Sequence, residues 1–294
     1  MRRSMITLTT DFGMVDGYVG VMKGVMLGIA PNARLLDISH QIAPQDVRQA
    51  AYVLYAVYPF FPADTIHLVV VDPGVGGERR PIALRTPAGV FVGPDNGVFS
   101  YVMARESVEA AVVLQNPLYR LARVSQTFHG RDIFAPAAAH LAAGTPIANL
   151  GPPISDLVTF AMPVLTPMPD VHRPDVIQGE VLYVDHFGNV VSSIGVLTWE
   201  ADRLRWKPAF PLSAQSSPGT HERVVDVSFR ADEARVRVAG REIVGLQRAY
   251  AAVAPGEVVA LVGSTGHLEI AVREGSGARR LGVQSGDEVT LYIA

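Results

Sequence analysis

The first 163 residues alternate short apolar runs with segments of helical period. Residues 5–10 read as a strand, and residues 17–29, closed by Pro31, read as a helix. A second strand is expected at 35–39, after which Val47, Ala50, Leu54 and Val57 recur at helical spacing until Pro59 stops the pattern. Residues 66–71 form a nearly continuous apolar run of the kind buried in a parallel sheet, and Asp72-Pro73-Gly74 turns the chain at its end. Shorter strands fit 82–85, 90–92 and 111–114, and a helix fits 133–143, ended by Gly144. The alternation predicts an α/β sandwich with a largely parallel sheet over residues 1–163.

The pattern then changes. Pro163, Pro167, Pro169 and Pro174 mark residues 164–175 as a stiff linker. Beyond it, closely spaced strands at 181–184, 190–194, 224–229, 258–262, 268–272 and 289–293 predict a small β-barrel over 176–294. Residues 203–222, with Pro208, Pro211, Pro218 and Gly219, have neither period and read as a surface excursion.

Composition narrows the function. Of 294 residues 49% are hydrophobic and 18% charged, which describes a folded globular chain with an ample core. A formal charge of −3 supplies no cationic field, so nucleic acid and anionic membrane surfaces are not expected partners and a small ligand is. The absence of cysteine excludes disulfides, thiolate catalysis and sulfur-ligated zinc, and fits a reducing cytoplasm. Arg2 and Arg3 precede an apolar stretch that ends at Asp11, too short for a signal peptide, and no run reaches the roughly 20 residues of a membrane span. A soluble, cytoplasmic protein is expected.

Candidate chemistry gathers at the ends of predicted strands, where ligands of open α/β sheets bind. Thr9-Thr10-Asp11-Phe12-Gly13, with Asp16 close behind, offers carboxylates for hydroxyl or ammonium groups; Asp16 reads equally as a helix N-cap. In Asp72-Pro73-Gly74-Val75-Gly76-Gly77-Glu78-Arg79 a glycine-rich turn could fold Arg79 back onto Asp72 and keep it ionised, although a plain turn with a solvated arginine explains the same letters. The Gly-Lys-Ser/Thr ending of a phosphate loop is missing. Thr127-Phe128-His129-Gly130-Arg131-Asp132 precedes a helix; His129 is a candidate base or orienting donor, and Asp132 a candidate cap. In the second half, Asp185-His186-Phe187-Gly188-Asn189 and Gly263-Ser264-Thr265-Gly266-His267-Leu268-Glu269 are hairpin turns or supports for a flat heterocycle with a polar tail. No metal-ligand spacing is present, so no metal is expected.

Taken in order, these strings and Gly93-Pro94-Asp95-Asn96-Gly97 resemble one family, the S-adenosylmethionine hydroxide adenosyltransferases, whose fold is similar to that of the fluorinating and chlorinating enzymes. The resemblance implies hydrolysis of S-adenosyl-L-methionine to adenosine and L-methionine, with the sulfonium compound as substrate and no further cofactor. It implies that Asp72, Arg79 and His129 position the attacking water. It assigns Asp11 to the ribose hydroxyls, Asp16 to the methionine ammonium, Asn189 to adenine with Phe187 packed on the base, and Asp185 with Ser264 to the methionine end. It also implies a homotrimer with sites between subunits. The alternatives are a halogenase of the same fold, in which the acidic Asp72 would repel the halide, a non-catalytic adenosine-binding protein, and a metal-dependent hydrolase using Asp11, Asp72 and His129.

Overall fold

A computed structural model describes residues 4–163, 165–168, 175–210, 212 and 226–293. The chain divides into two compact units, Met1–Ala161 and Met162–Ala294.

In the first unit six strands make one sheet: β1 (Met5–Thr10), β2 (Arg34–Ser39), β3 (Ile66–Val70), β4 (Pro81–Thr86), β5 (Gly89–Pro94) and β6 (Ala110–Val113), in the order β2-β1-β3-β5-β4-β6. Helices α1 (Tyr18–Ile29) and α4 (Ala135–Ala142) pack on one face, and α2 (Val47–Val57) and α3 (Ser100–Arg105) on the other. Strand β3 explains why its sequence carries no polar alternation. Ile66, Leu68 and Val70 face the α1/α4 core while Val69 and the following Val71 face the α2/α3 core, so every position is buried.

The sheet expected to be largely parallel carries one reversed strand. Strands β2, β1, β3 and β5 run parallel, but β4 is antiparallel to both β5 and β6. The cause is local: only Pro87 and Ala88 join β4 to β5, and so short a connection can only reverse the chain. The helix expected over 133–143 begins as a π-helical turn, Gly130–Phe134, that passes directly into α4.

In the second unit, β7 (Thr166–Met168), β8 (Val176–Val184), β9 (Val190–Ser192), β13 (Arg235–Val238), β14 (Arg241–Val244), β15 (Val258–Val262), β16 (Leu268–Val272) and β17 (Glu288–Tyr292) form one antiparallel sheet. It is nearly closed and barrel-like: Gln247, just past β14 at one end, donates its N–H to Ala260 O of β15 at the other end, at 2.8 Å. Strands β10 (Leu197–Glu200), β11 (Arg203–Trp206) and β12 (Val227–Arg230) form a separate three-stranded sheet, and helix α5 (Gly277–Leu281) packs on β16.

Two expectations change here. Thr166–Met168, inside the stretch read as linker, pairs with β8 as a strand, and residues 169–174 lie outside the described residues. The first residues of the supposed excursion are β11, whose Leu204 and Trp206 are fully buried; residues 213–225 lie outside the described residues. No helix among the described residues is long and apolar enough to cross a membrane.

Candidate functional site

Asp72 follows the buried end of β3, where the sheet stops covering the chain and the backbone turns outward. The turn that follows is held by Val75 N donating to Asp72 O at 3.2 Å and Gly77 N to Gly74 O at 3.0 Å. Gly76 has φ +76°, and a Cβ there would stand 2.3 Å from Gln126 O, so only glycine lets this loop lie against the segment that carries His129. The turn returns Arg79 to Asp72. Arg79 Nε donates to Asp72 Oδ1 at 2.8 Å and its NH2 group donates to Oδ2, a bidentate pair whose side chains are only 9% and 6% exposed.

The same NH2 group lies 2.7 Å from His129 Nδ1. A guanidinium has no lone pair, so Nδ1 is the acceptor and the proton of the neutral imidazole sits on Nε2. Burial, and then the charge of Arg79, push the His129 pKa below the ordinary histidine value. Asp72, Asp132 and a hydrogen bond with the Ser125 backbone act the other way and are outweighed. The ring is held by the π-helical turn behind it. The fully buried Asp132 accepts from Ser125 N at 2.8 Å and from Arg131 Nε at 2.6 Å, so it ties the turn to the preceding loop and is not a helix cap.

Asp72 and His129 share a cavity of about 390 Å³ with Asp11, Gln45, Val70 and Phe128. Arg79 stands behind them, over the ring of Phe134 at 5.3 Å. Asp11 Oδ2 accepts from Gln45 N at 2.8 Å, which leaves Oδ1 for a ligand. Its turn is pinned by Thr10, whose Oγ1 accepts from Phe12 N at 3.2 Å and lies 2.8 Å from the buried His40 Nδ1. The rings of Phe12, Tyr18 and Phe128 meet edge to face or tilted at 5.1–5.8 Å and form an aromatic wall that also bounds a neighbouring space of about 470 Å³. Asp16 is exposed and outside the walls of both spaces, and it does not cap α1, whose N-cap is Gly17.

In the second unit Asp185, Phe187 and Asn189 share the turn between β8 and β9. Asp185 Oδ1 accepts from Phe187 N at 2.9 Å and Asn189 N at 2.8 Å, and its Oδ2 accepts from Asn189 Nδ2 at 2.9 Å. The Asn189 amide is therefore oriented with its oxygen left to accept, while Phe187 stands 74% exposed. Ser264 is exposed in the turn between β15 and β16.

One residue of this region stood at the end of the Gly263–Glu269 string without a task of its own. Glu269, buried in β16, accepts from Tyr250 OH at 2.5 Å, and burial followed by the charge of Asp185 raises its pKa. Its signal was a single acid inside the apolar run Leu268–Val272.

An α/β unit with a carboxylate–guanidinium–imidazole cluster at its strand ends, followed by a barrel-like β unit, defines the class. Models of the SAM hydroxide adenosyltransferase N-terminal and C-terminal domains match residues 6–151 and 179–290. The chain is 40% identical, over 97% of both chains, to a protein of Salinispora tropica named (R)-S-adenosyl-L-methionine hydrolase. It is similar to the crystal structure of an uncharacterized conserved protein from Thermotoga maritima, with a TM-score of 0.79 and 36% identity, covering 98% of this chain and 100% of the other. A fluorinase of an Actinoplanes species is 29% identical over 65% of this chain and 71% of its own. The chain belongs to the SAM hydroxide adenosyltransferase family.

Proposed function

We propose that the protein hydrolyses S-adenosyl-L-methionine to adenosine and L-methionine through attack of water at the ribose C5′. The observation that carries this reading is the Asp72–Arg79–His129 cluster on one cavity, in a chain whose full-length relatives are named for this hydrolysis. The sulfonium compound is the substrate, and no resident cofactor is required.

The roles follow from hydrogen-bond capacity. With Nδ1 occupied, His129 can only donate, so its Nε2–H, shared with the Ser125 backbone, orients the water through an oxygen lone pair and leaves the opposite lone pair for C5′. A neutral imidazole in this state cannot take the proton. Asp72 can, since a carboxylate has lone-pair sites beyond those used by Arg79. As the C5′–O bond forms the C5′–S bond breaks; its electron pair goes to sulfur, and methionine leaves as a neutral thioether that needs no acid. Asp72 also disfavours a halide, because an anion beside an ionised carboxylate is repelled in a partly dry site.

Around the reacting atoms, Asp11 holds the ribose hydroxyls, Asp16 the methionine ammonium, and Asp185 and Ser264 the methionine end. Asn189 accepts from the adenine amino group while Phe187 packs on the base. The Asp185 contacts favour this task for Asn189, because they fix which end of its amide is free. The enzyme acts as a cytoplasmic homotrimer, each substrate enclosed by the N-terminal unit of one chain and the C-terminal β-barrel of a neighbour.

The test is an incubation in halide-free, chelator-treated H₂¹⁸O. Equal amounts of adenosine and L-methionine are expected, with the label in the adenosine 5′-hydroxyl. Label in methionine, intact substrate, or a requirement for added metal would sink the proposal.

A further inference from the structure

Two residues of the Gly93-Pro94-Asp95-Asn96-Gly97 string flank none of the reacting groups, yet they grip both ends of the loop that carries Asp72 and Arg79. Asn96 Nδ2 donates at 3.0 Å to the carbonyl of Val71, the residue before Asp72. Its Oδ1 accepts from Val98 N at 3.2 Å, which fixes the amide in that orientation. Asp95 holds Arg80, the residue after Arg79. Its Oδ2 accepts from Arg80 Nε at 2.8 Å and from NH2 at 2.5 Å, its own N–H donates to Arg80 O at 2.9 Å, and its Oδ1 accepts from Val158 N at 2.8 Å. The Asp95 side chain is 2% exposed.

We propose that Asp95 and Asn96 form a clamp that sets the separation of Asp72 and Arg79, making both positioning residues for the hydrolysis. This rests on the catalytic reading of Asp72 and Arg79 given above.

The physical need is clear from what else holds the loop. Residues 73–78 are exposed, and inside the loop the described backbone bonds are two tight turns of 3.2 and 3.0 Å. A bidentate pair needs both carboxylate oxygens and two guanidinium nitrogens in register, so a small drift of either end breaks one of its bonds. Adjacent residues of one buried segment hold the two ends and so tie their positions together. The clamp also disposes of a competing charge. Arg79 and Arg80 are neighbours in sequence; with Asp95 and the exposed Asp156 engaging Arg80, its cation does not compete with Arg79 for Asp72.

The experiment uses the full-length protein. Asn96→Ala and Asp95→Asn are each expected to lower kcat about tenfold or more with KM changed less than about twofold, and Asp95→Glu to recover part of the loss. Tyr58→Phe, which removes a part-buried hydrogen bond to Glu106 and touches neither Asp95 nor Asn96, controls for general destabilisation and should leave kcat unchanged. In an Asp72→Ala background Asn96→Ala should cost less than about twofold more, because a residue acting through Asp72 has nothing left to position.

Amide hydrogen exchange reads the clamp without reference to turnover: Val75 and Gly77 should exchange about tenfold faster in Asn96→Ala. Unchanged exchange, or losses that multiply in the double variant, would overturn the clamp. If Asp72→Ala itself retains full activity, the catalytic reading of the loop fails, and the holding of its ends is then decided by exchange alone.

Discussion

At the scale of single residues, the cluster is a chain of donors and acceptors whose direction is set by the one group that cannot accept. Arg79 forces His129 into the Nε2–H form and engages both oxygens of Asp72, so in the proposed reaction the water would meet a donor on one side and a carboxylate on the other. Asp72→Ala, Arg79→Ala and His129→Ala should each lower kcat by about 10²-fold or more while leaving KM within a few-fold, as expected for groups serving the nucleophile. Asp11→Ala should chiefly raise KM. The pH dependence has a definite sign. The His129 pKa is held below its ordinary 6.5, so the active neutral form persists above that value and is lost as pH falls through the depressed one. A kcat/KM profile should show an acid limb below pH 6.5. His129→Asn keeps an N–H but does not titrate and should remove that limb; an unaltered limb would assign it to another group.

At the scale of elements, the strand ends and the π-helical turn decide where the chemistry stands. Strand β3 delivers Asp72 at the point where burial ends, and Gly130–Phe134 sets His129 against the returning loop. Strand β3 also carries a cost. His67 is 1% exposed, stacked on Phe91 at 5.0 Å with its Nδ1 2.9 Å from Thr7 Oγ1, and burial lowers its pKa to about 4. The native state therefore binds fewer protons than the unfolded chain between about pH 4 and 6.5. Its contribution is fully present above 6.5 and shrinks as pH falls toward 4. The loss by pH 4 is at most roughly 3 kcal/mol. Urea unfolding at pH 7 and pH 4.5 should show His67→Phe losing less stability on acidification than the unaltered protein; equal losses would refute this assignment.

At the scale of the whole molecule, the candidate ligands are divided: Asp11, Asp16, Asp72, Arg79 and His129 belong to the first unit, and Asp185, Phe187, Asn189 and Ser264 to the second. The proposed trimer uses that division, since a closed ring supplies three equivalent head-to-tail interfaces. Complementation tests it. Asp72→Ala and Asn189→Ala proteins, each impaired, are unfolded, mixed and refolded together. Some interfaces in a mixed trimer then combine an intact first unit with an intact second unit, and activity should return in part. A monomer by light scattering, or no recovery despite proven subunit exchange, would place each site within one chain.

Much of this was legible in the sequence because local chemistry dictates it. Strand β1, helix α2 and the buried run of β3 follow from period and apolar continuity, whereas the glycine-rich turn allowed Arg79 either to return to Asp72 or to stay in solvent, and only the fold selects the pair. Where two neighbours were too short or too irregular to show a period, the reading failed. Helix α3, strands β10, β13 and β14, and the strand at Thr166–Met168 inside a proline-rich stretch are only three to six residues long, too short for a period, and the strands are secured by pairing with their chain neighbours. The antiparallel turn of β4 needed the length of its connection weighed against the α/β pattern. Asp95 and Asn96 could be recognised as a string but given no task, because their partners Val71, Arg80 and Val158 meet them only in the folded sheet. The sequence by itself determined which residue types are available for the chemistry and where strands end. Tertiary structure decided which of them touch, which nitrogen of His129 bears the proton, and what holds the loop in place, since hydrogen-bond direction and burial belong to pairs of groups far apart along the chain.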